Sequence, residues 1–444
     1  MKGHGKELGI FIACDEADLL RQAQESTERF AAKKQLGIFD GVPMAIKDEV
    51  KMVGYPTTAG TSFLGAEPET EDAETVGRLR RAGAMLIGKA NMHEVGLGVT
   101  GINPHYGPAR NPYDPSRITG GSSSGSAAAV AAGFGPVSLG ADGGGSIRIP
   151  AGLCGMVGLK ATYGRISEYG AIPLCWSVGH LGPIGVTAGD VAAAYAIMAG
   201  PDPRDRRSLL QPPLHLHDVG NQDLKGVRLG ICTAWFEDAQ AEVVAACRTL
   251  VGQLVDAGAE VREVDVPDIE LVKAAHLVII ISEMIAFNSK FGREHRHDFG
   301  LDVRVNFALG GDLTSSDYVH ALRHRQSFTH QMLKLMKDVD VIVTPTTGTT
   351  APPIPEHALP DGESDIAMLE EISRFAAMGN LTGFPAIGVP CGYDKSTLPI
   401  SCQFLGRPWE EHLLLRLAHL ADGLVSRRQP KRYASLLDDG PAAG

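Results

Sequence analysis

The sequence predicts an α/β protein, and three features support this fold class. Residues 227–266 alternate between an apolar strand-like run, a helical stretch from Ala241 to Ala257 and a second strand-like run, which is the pattern of a parallel or mixed sheet covered by helices. The runs "DVIVTP" near residue 340 and "FPAIGVP" near residue 387 add buried strands. With 444 residues, 44% of them hydrophobic and 21% charged, the chain can form one large domain or two smaller ones.

The first half of the chain supplies the other elements. After a loose end, "LGIFIAC" (8–14) indicates a first strand, and "GVPMAIKDEV" (41–50) indicates a second strand that ends at Lys47. The small residues of "SAAAVAAG" (126–133) indicate a closely packed helix beside a glycine-rich turn. Residues 201–223 are rich in proline and charge, as is typical of a linker or a long surface loop.

The charge balance and the cysteines narrow the setting. A net charge of −11 without a cluster of Lys or Arg argues against a nucleic-acid-binding face, because neutralising phosphates requires clustered cations. Seven scattered cysteines without a CxxC pair favour free thiols in a reducing compartment. The most apolar run, residues 271–287, is interrupted by Lys273, His276 and Glu283 and is too short to span a bilayer. We therefore expect a cytoplasmic protein.

Three segments carry candidate functional residues, and each has a structural and a chemical interpretation. Gly143, Gly144 and Gly145 precede Ser146 and form either a flexible turn or a bare backbone whose N–H groups converge on charge developing beside a nucleophilic hydroxyl. Lys47 ends an apolar strand, where it either extends to solvent or, if partly buried, serves as a neutral base. The serine-rich turn "TGGSSSG" caps the following helix or contributes a hydroxyl.

A different nucleophile is suggested by "GSSSG" at residues 121–125. It matches the G-x-S-x-G elbow of α/β-hydrolases, in which Ser123 would be the nucleophile. A helix does follow, but the preceding segment "NPYDPSRITG" is rich in proline and poorly suited to the buried strand that the elbow requires. This alternative is therefore the weaker one.

In this order and spacing, the three segments resemble the amidase signature enzymes. The likeness runs through "NMHEVGLGVTG", "YGPARNPYDPSRITGGSSSGSAAAVAAG" and "GADGGGSIRIPAGLCGMVGLKATYGRIS", and it covers residues 38–200 almost continuously. It implies a Ser-Ser-Lys triad without histidine. Ser146 would be the acyl-accepting nucleophile, Ser122, which in this family sits beside a cis peptide, would relay the proton, and Lys47 would be the base.

The same resemblance implies supporting groups around the triad. Backbone N–H groups at the glycine run would bind the oxyanion of the tetrahedral intermediate. They belong to Gly143, Gly144, Gly145 and Ser146. Ser123 and Asp142 would support these loops, and the resemblance implies no metal and no cofactor.

The fold implied by the resemblance is a single domain with a large mixed β-sheet flanked by helices on both faces. That domain would span residues 1–444, with a signature core at about 38–200, a surface loop at 201–223 and the remainder at 224–444. Only 46 residues precede Lys47, whereas family members usually have more, often helices that close the pocket or form a dimer. Whether the protein forms a homodimer and whether the short N-terminus is native therefore stay open.

The sequences of the serine-rich turn and of the triple glycine are most similar to those of the branch that contains the plant-type fatty acid amide hydrolases. This similarity implies a small lipophilic amide such as an N-acylethanolamine as substrate, and it leaves peripheral contact with a membrane open. The alternatives on the same fold are the glutaminase component of a tRNA-dependent amidotransferase or another small-amide amidase. An inactive scaffold is disfavoured because Lys47, Ser122 and Ser146 are all present.

Overall fold

The computed structural model describes residues 4–291, 294–362 and 365–434. These residues contain a β-sheet of eleven strands and a separate two-stranded sheet. The strands along the described chain are β1 (Phe11–Ala13), β2 (Pro43–Lys47), β3 (Met85–Ala90), β4 (Arg110–Asn111), β5 (Asp114–Ile118), β6 (Val137–Ala141), β7 (Val157–Lys160), β8 (Leu181–Gly185), β9 (Arg228–Ile231), β10 (Glu260–Glu263), β11 (Val341–Pro345), β12 (Ala386–Tyr393) and β13 (Pro399–Gly406). The order in the sheet is β1-β3-β2-β6-β8-β7-β12-β13-β11-β9-β10, and β4 and β5 form a separate pair.

Helices connect these strands. They are α1 (His4–Glu7), α2 (Glu16–Ala31), α3 (Glu74–Arg81), α4 (Ser124–Ala131), α5 (Arg148–Leu153), α6 (Ala188–Met198), α7 (Thr233–Phe236), α8 (Ala241–Asp256), α9 (Ile269–Asn288), α10 (Leu301–Gly310), α11 (Ser315–Leu335), α12 (Ile366–Ser373), α13 (Ala377–Thr382) and α14 (Glu411–Leu424). Short 3₁₀ turns occur at Glu94–Gly96, Arg206–Ser208 and Glu356–Ala358.

The sheet is mixed, which confirms the predicted fold class. β2 pairs in parallel with β3 and β6, and β9 pairs in parallel with β10 and β11, whereas the central strands from β6 through β8, β7, β12 and β13 to β11 are antiparallel. The predicted strand, helix and strand of residues 227–266 appear as β9, α8 and β10. The predicted first strand is present as β1, but it is only three residues long and lies at the edge of the sheet.

Helices cover both faces of the sheet, as the sequence predicts. Successive side chains of a strand point to opposite faces. Met44 and Ile46 of β2 accordingly belong to a large core cluster shared with α3, α6, α8 and α14. Ala45, between them, packs instead with Ala128 and Ala129 of α4 on the other face. The residues of "SAAAVAAG" therefore form the small-residue helix that the sequence indicated.

The candidate residues meet at one edge of this sheet. β2 and β6 are parallel neighbours, so their carboxyl ends lie side by side, which is where α/β sheets commonly bind ligands. β2 ends at Lys47, and β6 ends immediately before Asp142. Helix α4 begins at Ser124, directly after the serine-rich turn, and α5 begins at Arg148, two residues after Ser146.

Glycines in the sheet allow α5 to lie close to the strands. A Cβ on Gly158 of β7 would lie 2.7 Å from the Cβ of Ala151. A Cβ on Gly140 or on Gly182 would lie 3.2 or 2.9 Å from side-chain atoms of Ile147. Because real Cβ atoms rarely come so near, larger residues at these positions would push the start of α5, and with it Ser146, away from the sheet.

Residues 201–223 hold one short 3₁₀ turn, Arg206–Ser208, and many of their side chains are exposed. Asp202, Asp205 and Ser208 are nevertheless buried, so this segment is anchored at its start. Among the helices of the described residues, none combines the length and the apolar character needed to cross a bilayer.

Candidate active site

Lys47 is almost completely buried in the site. Its side chain is 1% exposed, and its Nζ donates a hydrogen bond to the Oγ of Ser122 at 2.7 Å. The carbonyl oxygen of Ala141 lies 3.5 Å from the same nitrogen, and the Oε2 of Glu49 lies at 2.9 Å. Lys47 is therefore buried rather than extended to solvent, and it faces both a serine hydroxyl and a carboxylate.

Ser122 also contacts the third candidate residue. Its backbone N–H donates to the Oγ of Ser146 at 3.0 Å, and both serines are almost completely buried. The chain turns into Ser122 through Gly120 and Gly121, whose φ angles of 81° and 58° suit glycine. The structure thus brings Lys47, Ser122 and Ser146 together. The cis peptide expected beside Ser122 is absent, since all peptide bonds of the described residues are trans.

Ser123 lies behind this turn. It is fully buried, its Oγ donates to the carbonyl of Ala141 at 3.0 Å, and it accepts the N–H of Ala141 at 3.1 Å. The Ser123 hydroxyl thus both donates a hydrogen bond to the end of β6 and accepts one from it, and it is not exposed to the pocket. This argues against Ser123 as the nucleophile of a hydrolase elbow. Although Ser123 is the N-cap residue of α4, its side chain makes no capping hydrogen bond. It joins the serine turn to β6.

Asp142 and Arg148 form a buried ion pair beneath the glycine run. The Asp142 carboxylate accepts from the Arg148 Nε at 3.0 Å and from the backbone N–H of Ile147 at 3.1 Å. Arg148 also donates to Asn380 and Gln403, at 2.6 and 2.7 Å. Burial alone would raise the pKa of Asp142, but the attraction and hydrogen bonds of Arg148 outweigh it and hold that pKa well below its ordinary value.

This ion pair changes the expected set of oxyanion donors. The N–H of Gly145 donates to the Asp142 Oδ1 at 2.6 Å, so this expected donor is already hydrogen-bonded to the carboxylate in this structure. The N–H groups of Gly143, Gly144 and Ser146 have no acceptor among the described residues. Three of the four expected donors therefore remain.

A pocket that opens to solvent is lined by Lys47 and Ser122. Its wall near the glycine run includes Asp142 and Gly143, while Ser146, 4% exposed, lies next to the lining rather than in it. The remaining wall is largely apolar, and its larger side chains are Val95, Ile172, Leu174, Trp176, Leu181, Ile280 and Met284.

Three charged residues of the pocket were not singled out in the sequence. Glu49 lies two residues after Lys47, in the turn that follows β2, and the strand pattern therefore gave no signal for its position. Glu168 and Arg207 form an ion pair at 2.7 Å in the wall. Arg207 comes from the segment 201–223, which looked like a simple connection, and no local pattern places it beside Glu168.

Burial affects the ionisation of this wall. It raises the pKa of Glu168 to about 7, and although Arg207 opposes the rise, Asp205 and Glu49 add to it. Burial likewise lowers the pKa of His180, which lines the same pocket, so that this ring is neutral at pH 7. The ring Nδ1 of His180 lies 2.9 Å from the carbonyl oxygen of Val178, which fixes its orientation.

Comparisons with known proteins agree with this geometry. The chain matches the Amidase family over residues 3–415. It is 42% identical over 431 residues to a fatty acid amide hydrolase of Oryza sativa subsp. indica, covering 95% of this chain and 71% of the relative. It is 35% identical over 438 residues to a glutamyl-tRNA(Gln) amidotransferase subunit of Symbiobacterium thermophilum, covering 93% and 88%.

A solved structure supports the same conclusion. A chain from a vestigial protein complex, described in connection with the origins of an s-triazine catabolic enzyme, superposes with a TM-score of 0.89 at 32% identity, covering 96% of this chain and 93% of that one. The family match over most of the chain, these relatives and this common fold establish that the chain belongs to the Amidase family and is an amide hydrolase.

Proposed function

We propose that this protein hydrolyses amides through a covalent acyl-enzyme on Ser146, with Ser122 and Lys47 as the other members of a Ser-Ser-Lys triad. The observation that carries the proposal is the buried contact of Ser122 with both partners, 2.7 Å from its Oγ to the Lys47 Nζ and 3.0 Å from its N–H to the Ser146 Oγ. A serine hydroxyl is a weak nucleophile until a base removes its proton.

In the proposed first step, the Ser146 Oγ bonds to the amide carbonyl carbon and its proton passes through the Ser122 hydroxyl to the amine of Lys47. The C–N bond then breaks, and the proton returns from Lys47 through Ser122 to the departing amine. Water attacks the resulting ester by the same route and releases the acid. Glu49, 2.9 Å from the Lys47 Nζ, would stabilise the ammonium group that each proton transfer creates.

The negative charge of the tetrahedral intermediate would be bound by the N–H groups of Gly143, Gly144 and Ser146. Such donors are aimed before the reaction starts and need no reorganisation, and removing one of them typically costs about 2.7–4 kcal/mol of transition-state stabilisation. The bare glycine run allows these peptides to turn toward one point beside Ser146.

For the substrate we propose a fatty acid amide, such as an N-acylethanolamine. The apolar side chains of Leu174, Ile280 and Met284 would contact the acyl chain. Glu168 can accept a hydrogen bond from a hydroxyl on the amine part of the substrate, and Arg207 can donate one to it. The 42% identity to a plant fatty acid amide hydrolase supports this assignment over the glutaminase component of an amidotransferase, whose example is 35% identical.

The proposed nucleophile is tested by reaction with a fluorophosphonate followed by mass spectrometry of the labelled peptide. We expect one adduct, on Ser146, because an activated serine beside unpaired N–H groups should react fastest. Labelling should be lost in Lys47→Ala. An adduct on Ser123 would support the hydrolase elbow, and an unlabelled protein would support the inactive scaffold.

The proposed substrate is tested with a series of N-acylethanolamines of increasing chain length. We expect kcat/KM to rise by up to about fourfold per methylene, because burying one CH₂ contributes about 0.8 kcal/mol. Met284→Ala should lower the preference for long over short chains by about tenfold.

Met332→Ala provides the matched control, since Met332 is equally buried but does not line the pocket. It should lower stability without changing the chain-length preference. A flat series with glutamine as the better substrate would contradict the fatty amide assignment and favour the glutaminase component.

A further inference from the structure

Two residues from the second half of the chain, His276 and Asn380, hold carbonyl groups at the glycine run. We propose that His276, on α9, is a positioning residue for oxyanion binding, because it fixes the orientation of the peptide between Gly143 and Gly144. This inference rests on the proposed function, since it assigns His276 to the oxyanion site of that reaction. It concerns a residue that the sequence marked only as an interruption of an apolar run.

The contact itself is short and buried. The His276 Nε2 lies 2.7 Å from the carbonyl oxygen of Gly143, and the residue is 8% exposed. Because a carbonyl oxygen can only accept, the ring nitrogen must be the donor and carries the hydrogen. A Cβ built on Gly144 would lie 3.0 Å from the ring Cε1, so the ring also contacts the glycine run through its carbon edge.

One hydrogen bond of this kind is enough to aim an N–H group. In a planar trans peptide, the N–H points away from the preceding carbonyl. His276 binds the carbonyl of Gly143, and the N–H of Gly144 therefore points away from α9. Glycine tolerates many backbone conformations, so a peptide between two glycines could rotate at low cost if its carbonyl were left without a partner.

The neighbouring peptides follow the same rule. The carbonyl of Asp142 accepts from the Nδ2 of Asn380 at 2.9 Å, which directs the N–H of Gly143. The carbonyl of Gly145 accepts from the N–H of Ile149 at 2.7 Å, which directs the N–H of Ser146. Each of the three unpaired donors thus belongs to a peptide whose carbonyl oxygen is already held.

His276 is the anchor that can be tested separately. Asn380 also binds the Asp142 carboxylate and Arg148, so its loss would disturb the ion pair. Ile149 donates from the backbone of a helix. The His276 ring, within the described part of the chain, makes only the hydrogen bond to Gly143. Burial lowers the pKa of His276, so the ring is neutral at pH 7 and adds no charge to the site.

The test compares His276→Leu, which removes the donor at similar volume, with His276→Gln, which keeps an N–H donor. The ligands are a trifluoromethyl ketone and a methyl ketone with the acyl chain of the best substrate. In the first, the Ser146 Oγ bonds to the carbonyl carbon, the oxygen becomes an oxyanion and the serine proton passes to Lys47. The second binds chiefly as the intact ketone and therefore reports binding without an oxyanion.

We expect His276→Leu to lower kcat/KM by about 10- to 100-fold and trifluoromethyl ketone affinity by the same factor, with KM and methyl ketone affinity changed less than about twofold. His276→Gln should recover most of both losses. Val272→Ala is the matched control, because Val272 is buried one turn earlier on α9. It should lower the unfolding temperature and leave the ratio of the two ketone affinities unchanged.

The other outcomes overturn either this inference or the proposed function. If the wild-type protein reacts with a fluorophosphonate on Ser146 but His276→Leu keeps the wild-type affinity ratio, His276 does not position the oxyanion site and the proposed function stands. If both ketones and KM weaken equally, the role of His276 is structural and the inference is also wrong. If Ser146 of the wild-type protein does not react with the fluorophosphonate, the proposed function is wrong, and the inference about His276 is wrong as well.

Discussion

Glu168 has an unusual position for a carboxylate, since it lines the pocket and, among the described residues, is paired with only one cation. Its Oε2 lies 2.7 Å from Arg207, while its own backbone N–H donates to Asp205. Burial raises its pKa to about 7, against an ordinary value of about 4.3 for glutamate. Between these two values, the folded protein holds a proton that the unfolded chain has released.

The linkage between protonation and folding gives a prediction. Because the folded state binds more protons in this window, the contribution of Glu168 to stability should fall as pH rises from about 4.3 to 7 and then level off. Glu168→Gln has no proton to lose, so its stability relative to wild type should be greater at pH 8 than at pH 5. Urea unfolding of both proteins at the two pH values measures this difference.

The control for this measurement is Glu263→Gln, an exposed carboxylate outside the pocket whose pKa is lowered by hydrogen bonds from Thr233. Its stability relative to wild type should not increase between pH 5 and pH 8. If Glu168→Gln behaves in the same way as this control, Glu168 is ionised throughout the window.

At the scale of single elements, the short distance between α5 and the sheet predicts that a larger residue on β7 will destabilise the protein. Gly158→Ala on β7 would place a Cβ 2.7 Å from that of Ala151, so we expect it to destabilise the protein by about 1–3 kcal/mol. Because α5 follows directly after Ser146, fluorophosphonate labelling should also slow. Both effects follow from the displacement of one helix.

A second glycine provides the matched control. Gly252 lies within α8, is exposed, and a Cβ there would meet nothing within 4 Å. Gly252→Ala should therefore stabilise the protein by about 0.4–1 kcal/mol, because alanine loses less backbone entropy on folding, and labelling should be unchanged. Urea unfolding and labelling rates of the two variants are the measurements. Equal effects of the two substitutions would contradict this account of α5.

Single elements were also where the sequence was most informative. The unit β9, α8 and β10 was predicted from periodicity, and the end of β2 at Lys47 was predicted from an apolar run of five to six residues. These succeed because hydrophobic periodicity reports which side of an element is buried. The hydrogen bond from the Gly145 N–H to Asp142 was not predictable, since it depends on where the fold places the Asp142 carboxylate.

At the scale of the whole molecule, the two halves of the chain share one sheet. β7 from the first half pairs with β12 from the second, and the buried Arg148 joins Asp142 to Asn380 and Gln403. We therefore expect residues before and after the segment 201–223 to unfold as a single cooperative unit. Amide hydrogen exchange should give the same highest protection for β6 and β13.

The variant Arg148→Met examines this coupling directly. Leaving Asp142 buried without its partner should lower the protection of both strands together, by about 3–5 kcal/mol. If β12 and β13 lost protection at lower urea concentrations than β6 and β8, the chain would consist of two separately folding units.

The pocket is also a property of the whole molecule, which explains what the sequence could not predict about it. Lys47, Ser122 and Ser146 come from one region and were identified through a family resemblance carried by local motifs. Arg207 and His276 reach the site from distant segments through tertiary packing. Such contacts leave no pattern in one sequence, because neither residue differs locally from an ordinary surface arginine or core histidine.

The central pairing of β7 with β12 has a consequence for how the protein is made. On the ribosome, β6, β7 and β8 emerge long before β12, and β7 is fully buried in the finished sheet. At about 5–20 residues per second, the roughly 220 residues between these strands take on the order of ten to forty seconds to synthesise. Throughout that interval the nascent chain carries an apolar strand with one open edge, which is the kind of surface that pairs with other chains. Slow translation or a shortage of chaperones should therefore lower the yield of folded enzyme even when the equilibrium stability of the protein is unchanged.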